Sequence, residues 1–149
     1  MAEHADISTL NTLIKTTIDS IEGFEASAEQ SDQGRFASIF RGFAEERRRV
    51  VADLQQEVRG LGGNPEDSGS VAGAAHRAFL SLKDAVASRD DRAVLEEVER
   101  GEDYLKQKYE TALSSGELSA PARAAVERAY QSVRAGHDRV SELKHSFAS

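Results

Sequence analysis

The stretch FASIFRGFAEERRRVVADLQQEVRGLGGNP, residues 36–65, decides the fold. Phe36, Ile39, Phe40, Phe43, Val50, Leu54, Val58 and Leu61 recur at steps of three and four, which gathers them into one stripe along a helix. Gly62, Gly63, Asn64 and Pro65 end it, because glycine tolerates the left-handed turn that closes a helix and proline cannot continue one. One slot of the stripe is polar: between Phe43 and Val50 the series places Arg47 on an inward position.

Upstream, Leu10, Leu13, Ile14, Thr17, Ile21, Phe24 and Ala28 form a second stripe, and the polar break at Ser31, Asp32 and Gln33 caps the helix that follows. A break this short makes the two helices an antiparallel hairpin over residues 8–62. Downstream, a shorter and alanine-rich periodic stretch runs from Val71 to Ala87, with Ala75, Phe79, Leu82 and Val86 on its face and His76 beside them. Asp90 and Asp91 start a fourth helix carrying Val94, Leu95, Val98, Leu105, Tyr109, Ala112 and Leu113, which Ser115 and Gly116 end. Ser119 and Pro121 open a fifth, with Ala122, Val126, Ala129, Tyr130, Val133, Val140, Leu143 and Phe147 on its face. Residues 90–147 are thus a second hairpin. No stretch alternates with period two, so the expected fold is all-α.

Four of these helices span roughly 35–45 Å at 1.5 Å per residue, and the third only about 25 Å. That pattern fits a single domain, residues 1–149, built as a four-helix bundle in which segment 63–89 crosses over and carries a short extra helix. A five-helix up-and-down bundle is the rival.

Composition narrows the function classes. The chain has 149 residues, no Cys and no Trp, and 19 basic against 26 acidic residues for a net charge of −7. The missing Cys removes disulfides, thiol catalysis and thiolate metal sites. The acidic balance argues against nucleic acid, whose binders draw affinity from clustered Lys and Arg, and acid-rich helix faces argue against an anionic membrane. Nothing in residues 1–25 resembles a signal peptide and no glycine-rich phosphate loop appears, so a cytoplasmic protein is expected.

The polar interruptions of the stripes are the candidate site. Besides Arg47, the inward series of the fourth helix includes Glu102 with Glu99 a turn earlier, that of the fifth includes His137, and Glu22 and Glu25 flank the first. Residues equidistant from a turn lie level, which sets Glu22 near position 41 and His137 near Glu97 and Val98. A mid-bundle layer of Arg47, Glu99, Glu102 and His137, with Glu22 and Glu45 or Glu46 nearby, is therefore expected. Such a layer requires pairing or a metal, since each buried ion costs several kcal/mol.

The motifs LNTLI from Leu10, IEGFE from Ile21, FAEER from Phe43 and LGGNP from Leu61, with GAAHRAF from Gly73, ERGED from Glu99 and GHDRV from Gly136, resemble a bacterial ferritin-like family of unassigned function. The resemblance implies a ferritin-like four-helix bundle and no activity by itself; a stress-associated role enters only by analogy. Active di-iron members of that fold class carry a Glu on each of two helices and Glu-x-x-His on each of the other two. Here Glu46 is followed three residues later by Arg49, and His137 is preceded three residues earlier by Arg134. The complete pair, Glu142 and His145, lies in the last turns of the chain. The leading expectation is a non-enzymatic bundle without cofactor, in which Arg47 neutralises the carboxylates where metals would sit. The alternative is an iron or manganese carboxylate protein that oxidises or stores iron or removes peroxide, with Glu22, Glu46, Glu99, Glu102 and His137 as ligands. A homodimer through the apolar side of a hairpin is a third reading.

Overall fold

The computed structural model describes residues 2–30, 37–68 and 91–148, and among them the secondary structure is helical throughout: α1 (Ala2–Gln30), α2 (Ala37–Gly60), α3 (Asp91–Ser114) and α4 (Ala120–Ala148). The expected short helix at 71–87, with His76, and most of the crossover lie outside the described residues. Each helix turns the stripe its spacing builds toward the core, with Ile39, Phe43, Leu113, Tyr130 and Leu143 only partly buried at its edges. Leu10, Leu13, Ile14, Phe24, Phe40, Leu54, Val58, Leu95, Leu105, Val126 and Val133 form one continuous core shared by all four.

The ring of contacts runs α1–α2–α4–α3, with α2 and α3 on a diagonal where their backbones make no close approach. Side-chain pairs give the directions. Ser20 on α1 meets Arg47 on α2, and Glu102 on α3 meets the same arginine. Thr17 meets Tyr109, Asp6 meets Ser119, and Asp53 on α2 meets Arg128 on α4. Neighbouring helices are therefore antiparallel, and α2 and α3 run the same way, so the connection between them joins opposite ends of the bundle. Both the crossover bundle and the five-helix rival share this direction.

α2 closes on Gly62, whose φ of 85° is left-handed, with Gly63 N–H donating back to Val58 O at 3.0 Å. This turn seats on α1. A Cβ on Gly63 would come within 2.9 Å of Ile7, and Asn11 brackets the turn by donating to Asn64 O and accepting from Glu66 N–H. α3 closes through Gly116 at φ 74°, and both terminal nitrogens of Arg123 donate to the Leu113 carbonyl in its last turn at 2.8 Å.

α1 begins six residues before the expected Ser8. The reason lies at the other end of the chain: Asp6 is fully buried and accepts from Ser119 N–H at 3.0 Å and from Ser119 Oγ at 2.6 Å. It thereby ties the start of α1 to the residue that starts α4, whose carbonyl accepts from Arg123 N–H. Removing a charged, buried acceptor from two half-buried donors gives a direct expectation. Asp6→Ala lowers unfolding free energy by about 1–3 kcal/mol in urea titration; a loss below about 0.5 kcal/mol, the size of a surface change, would show that the tie carries no weight.

Candidate functional site

Arg47 lies on the inner face of α2 because the spacing that buries Phe40, Ala44, Val50 and Leu54 also turns position 47 inward. Its side chain is 1% exposed and reaches across the diagonal to Glu102, which is 0% exposed. Arg47 Nη2 donates to Glu102 Oε2 at 2.6 Å, and Nη1 donates to Ser20 Oγ at 3.1 Å. The guanidinium carbon lies 5.9 Å from the centre of the Phe24 ring, which packs on Phe40 and Phe43. A guanidinium and a carboxylate thus meet in a medium where bringing in an unpaired charge costs several kcal/mol. The pair is one-armed. Glu102 Oε1 is buried without a hydrogen-bond partner among the described residues, and the remaining N–H groups of Arg47 have no acceptor there.

Gly136 on α4 covers the pair. A Cβ at that position would lie 2.8 Å from Arg47 Nη2 and 3.4 Å from Phe43, so α4 approaches the guanidinium at the position where it has no side chain. Between Val133 and Val140 the inward slot thus belongs to Gly136, and His137 next to it turns toward α3.

One to two turns away along α1 and α3, Thr17 Oγ1 and Tyr109 Oη meet at 2.8 Å, both buried. Thr17 gives its proton to Leu13 O at 2.7 Å, so the neutral phenol is the donor. Burial pushes Tyr109 up to about 12, against the opposing pull of the Thr17 hydroxyl, which can turn its proton onto a phenolate, and of the Arg47 charge.

The expected layer divides into parts. Arg47 and Glu102 come together, as the stripe arithmetic placed them. Glu99 instead pairs with Lys144 at 2.8 Å near the surface, and its carboxylate raises the Lys144 ammonium above its ordinary value. His137 pairs with Asp103 through Nε2 at 2.6 Å, with Asp138 at 3.5 Å on its other nitrogen. Glu22 is exposed, Glu25 pairs with Arg48 at 2.6 Å on the surface, Glu45 pairs with Arg49, and Glu46 accepts from Ser132 at 2.9 Å. Among the described residues no three His, Asp or Glu side chains are grouped so as to hold a metal ion. No described helix is long and apolar enough to cross a membrane. Ser20 and the Tyr109 hydroxyl are the polar members that spacing alone missed; Ser20 stands between Thr17 and Phe24, one step from Ile21 in the apolar series.

The chain belongs to the family described as a domain of unknown function, DUF2383, which matches residues 5–115. No curated protein matches it. The matched stretch takes in α1, α2 and α3, whereas α4, with Gly136, lies beyond it.

Two measurements test the centre. Arg47→Met leaves Glu102 buried and unpaired and is expected to cost about 3–5 kcal/mol in chemical denaturation, whereas the double variant Arg47→Met with Glu102→Leu recovers most of that loss. A double variant as unstable as the single would assign the loss to packing rather than charge. For Tyr109, the folded protein holds its proton to about 12 while the unfolded chain releases it near 10. The unfolded state therefore binds fewer protons in that window, and stability falls by about 2–3 kcal/mol as pH rises from 10 to 12, being unaffected by this group below 10. Tyr109→Phe removes that part of the alkaline fall; an unchanged profile would assign it to other groups.

Proposed function

We propose that the chain is a non-catalytic ferritin-like bundle whose centre holds an arginine–carboxylate ion pair in the place where active members of that fold class hold metals. One observation carries the reading: the buried Arg47 guanidinium lies against Glu102, the one buried glutamate among the described residues, at the middle of the bundle. A permanent positive charge at that point opposes a divalent cation and occupies the carboxylate that would bind it. The other ligand candidates have different engagements: Glu99 with Lys144, His137 with Asp103, Glu46 with Ser132, and Glu22 with solvent. In this reading residues 71–87 form the short crossover helix, and the polar centre fixes how the two hairpins meet. Function then resides on the surface of a rigid scaffold rather than in a redox centre.

The test is elemental analysis of protein purified without a metal-affinity tag, followed by anaerobic titration with iron(II) and manganese(II) under calorimetry. The expected result is no stoichiometric metal and no saturable heat. Bound metal near about two equivalents, lost on Glu102→Ala, would overturn the proposal in favour of a di-metal carboxylate protein.

A further inference from the structure

A groove of about 450 Å³ runs between α2 and α4, within the size range of small-molecule sites. Its walls are opened by Gly42 and Gly136, its apolar lining is Ile39 and Phe43, and Arg47 and Arg139 supply its cations. Arg47 is the unusual member. Its Nη2 lies directly under Gly136, the guanidinium is nearly sealed from bulk water, and its N–H groups beyond those given to Glu102 and Ser20 have no acceptor among the described residues. A guanidinium carries five N–H donors in a planar fork, so beyond its bonds to Glu102 and Ser20 Arg47 can serve a further acceptor that enters through the groove.

The charge of the groove points to the sign of that acceptor. The chain as a whole is acidic, with net charge −7. Yet Glu46, the acidic residue among the described ones that line the groove, is engaged by Ser132 at 2.9 Å and by Arg49 at 3.7 Å. Arg139 is exposed and has no carboxylate partner among the described residues. Phe43 and Ile39 are half-buried apolar residues packed against the core, and they offer a surface for a hydrocarbon body beside the two cations.

From this placement we propose that the α2–α4 groove binds a small amphipathic carboxylate, with its head group accepting from Arg47 and Arg139 and its apolar body lying along Ile39 and Phe43. Arg47 would then serve two acceptors, Glu102 from inside the bundle and the ligand from outside, as the planar fork of a guanidinium permits. This inference goes beyond the non-catalytic reading and does not depend on the metal question.

The experiment is a titration of the full ¹⁵N-labelled chain with octanoate, followed by amide and Arg47 Nε–H shifts, with octanol as the probe that lacks the charge. The expected result is saturable shifts at Gly42, Gly136 and Arg47, with octanoate binding at least about tenfold more tightly than octanol. Gly42→Leu is the blocking variant. A Cβ at Gly42 meets nothing within 4 Å, and leucine is a better helix former, so the fold is retained while the groove is filled. It should weaken octanoate at least about tenfold, and the exposed Arg139→Gln should weaken octanoate while leaving octanol unchanged. No saturable shift by about 10 mM octanoate, equal binding of octanol, or unaltered binding by folded Gly42→Leu would each overturn the proposal.

Discussion

Two opposite charges 2.6 Å apart, on helices whose backbones do not touch, set the terms on which the hairpins pack. Leucine and valine stripes allow several sliding registers at little cost, because apolar attraction is non-directional. A one-armed ion pair does not. Moving α3 by one residue carries Glu102 about 1.5 Å along the axis and about 100° around it, leaving two buried charges apart in a low dielectric. Phe24 beneath the guanidinium and Gly136 above it fill the remaining space with a ring face and a bare backbone.

The other buried polar contacts repeat the logic along the axis. Asp6 with Ser119, Thr17 with Tyr109, and Ser20 with Arg47 and Glu102 occupy successive levels, each joining the first hairpin to the second or bracing a residue that does. Their collective effect is specificity of docking, since buried polar groups contribute less net stability than the apolar area around them. α4 enters this arrangement in a way the family match does not cover: it supplies both the Gly136 backbone over the guanidinium and the Val133 and Val140 that seal the core on either side.

Helix positions were legible because four long stripes, two glycine stops and a serine–proline start all speak to local backbone geometry. The expected second and fifth helices match Ala37–Gly60 and Ala120–Ala148 within a residue or two. Arg47 and Glu102 were legible for the same reason, as charges on an apolar series. Which partner each charge takes was less so. Counting the register from Ser31–Gln33 sets Arg47 about one turn of α1 away from Ser20, which it meets. His137 was assigned inward because the series from Val133 to Val140 admits either position 136 or 137. The clearance over Arg47 decides for glycine, and that clearance is a tertiary quantity no single helix encodes. Asp6 escaped notice since its partner is 113 positions away.

The one-armed ion pair also bears on how the bundle comes apart. Arg47 belongs to one hairpin and Glu102 to the other, so the first fraction of an ångström of separation weakens their attraction before a gap wide enough for water has opened. Over that interval the two charges have lost each other and have not yet been hydrated, which raises the energy of a slightly opened bundle above that of either end state. A centre that adds modestly to equilibrium stability thus acts as a latch on the rate of opening, and it resists slow breathing of the hairpins more than complete unfolding.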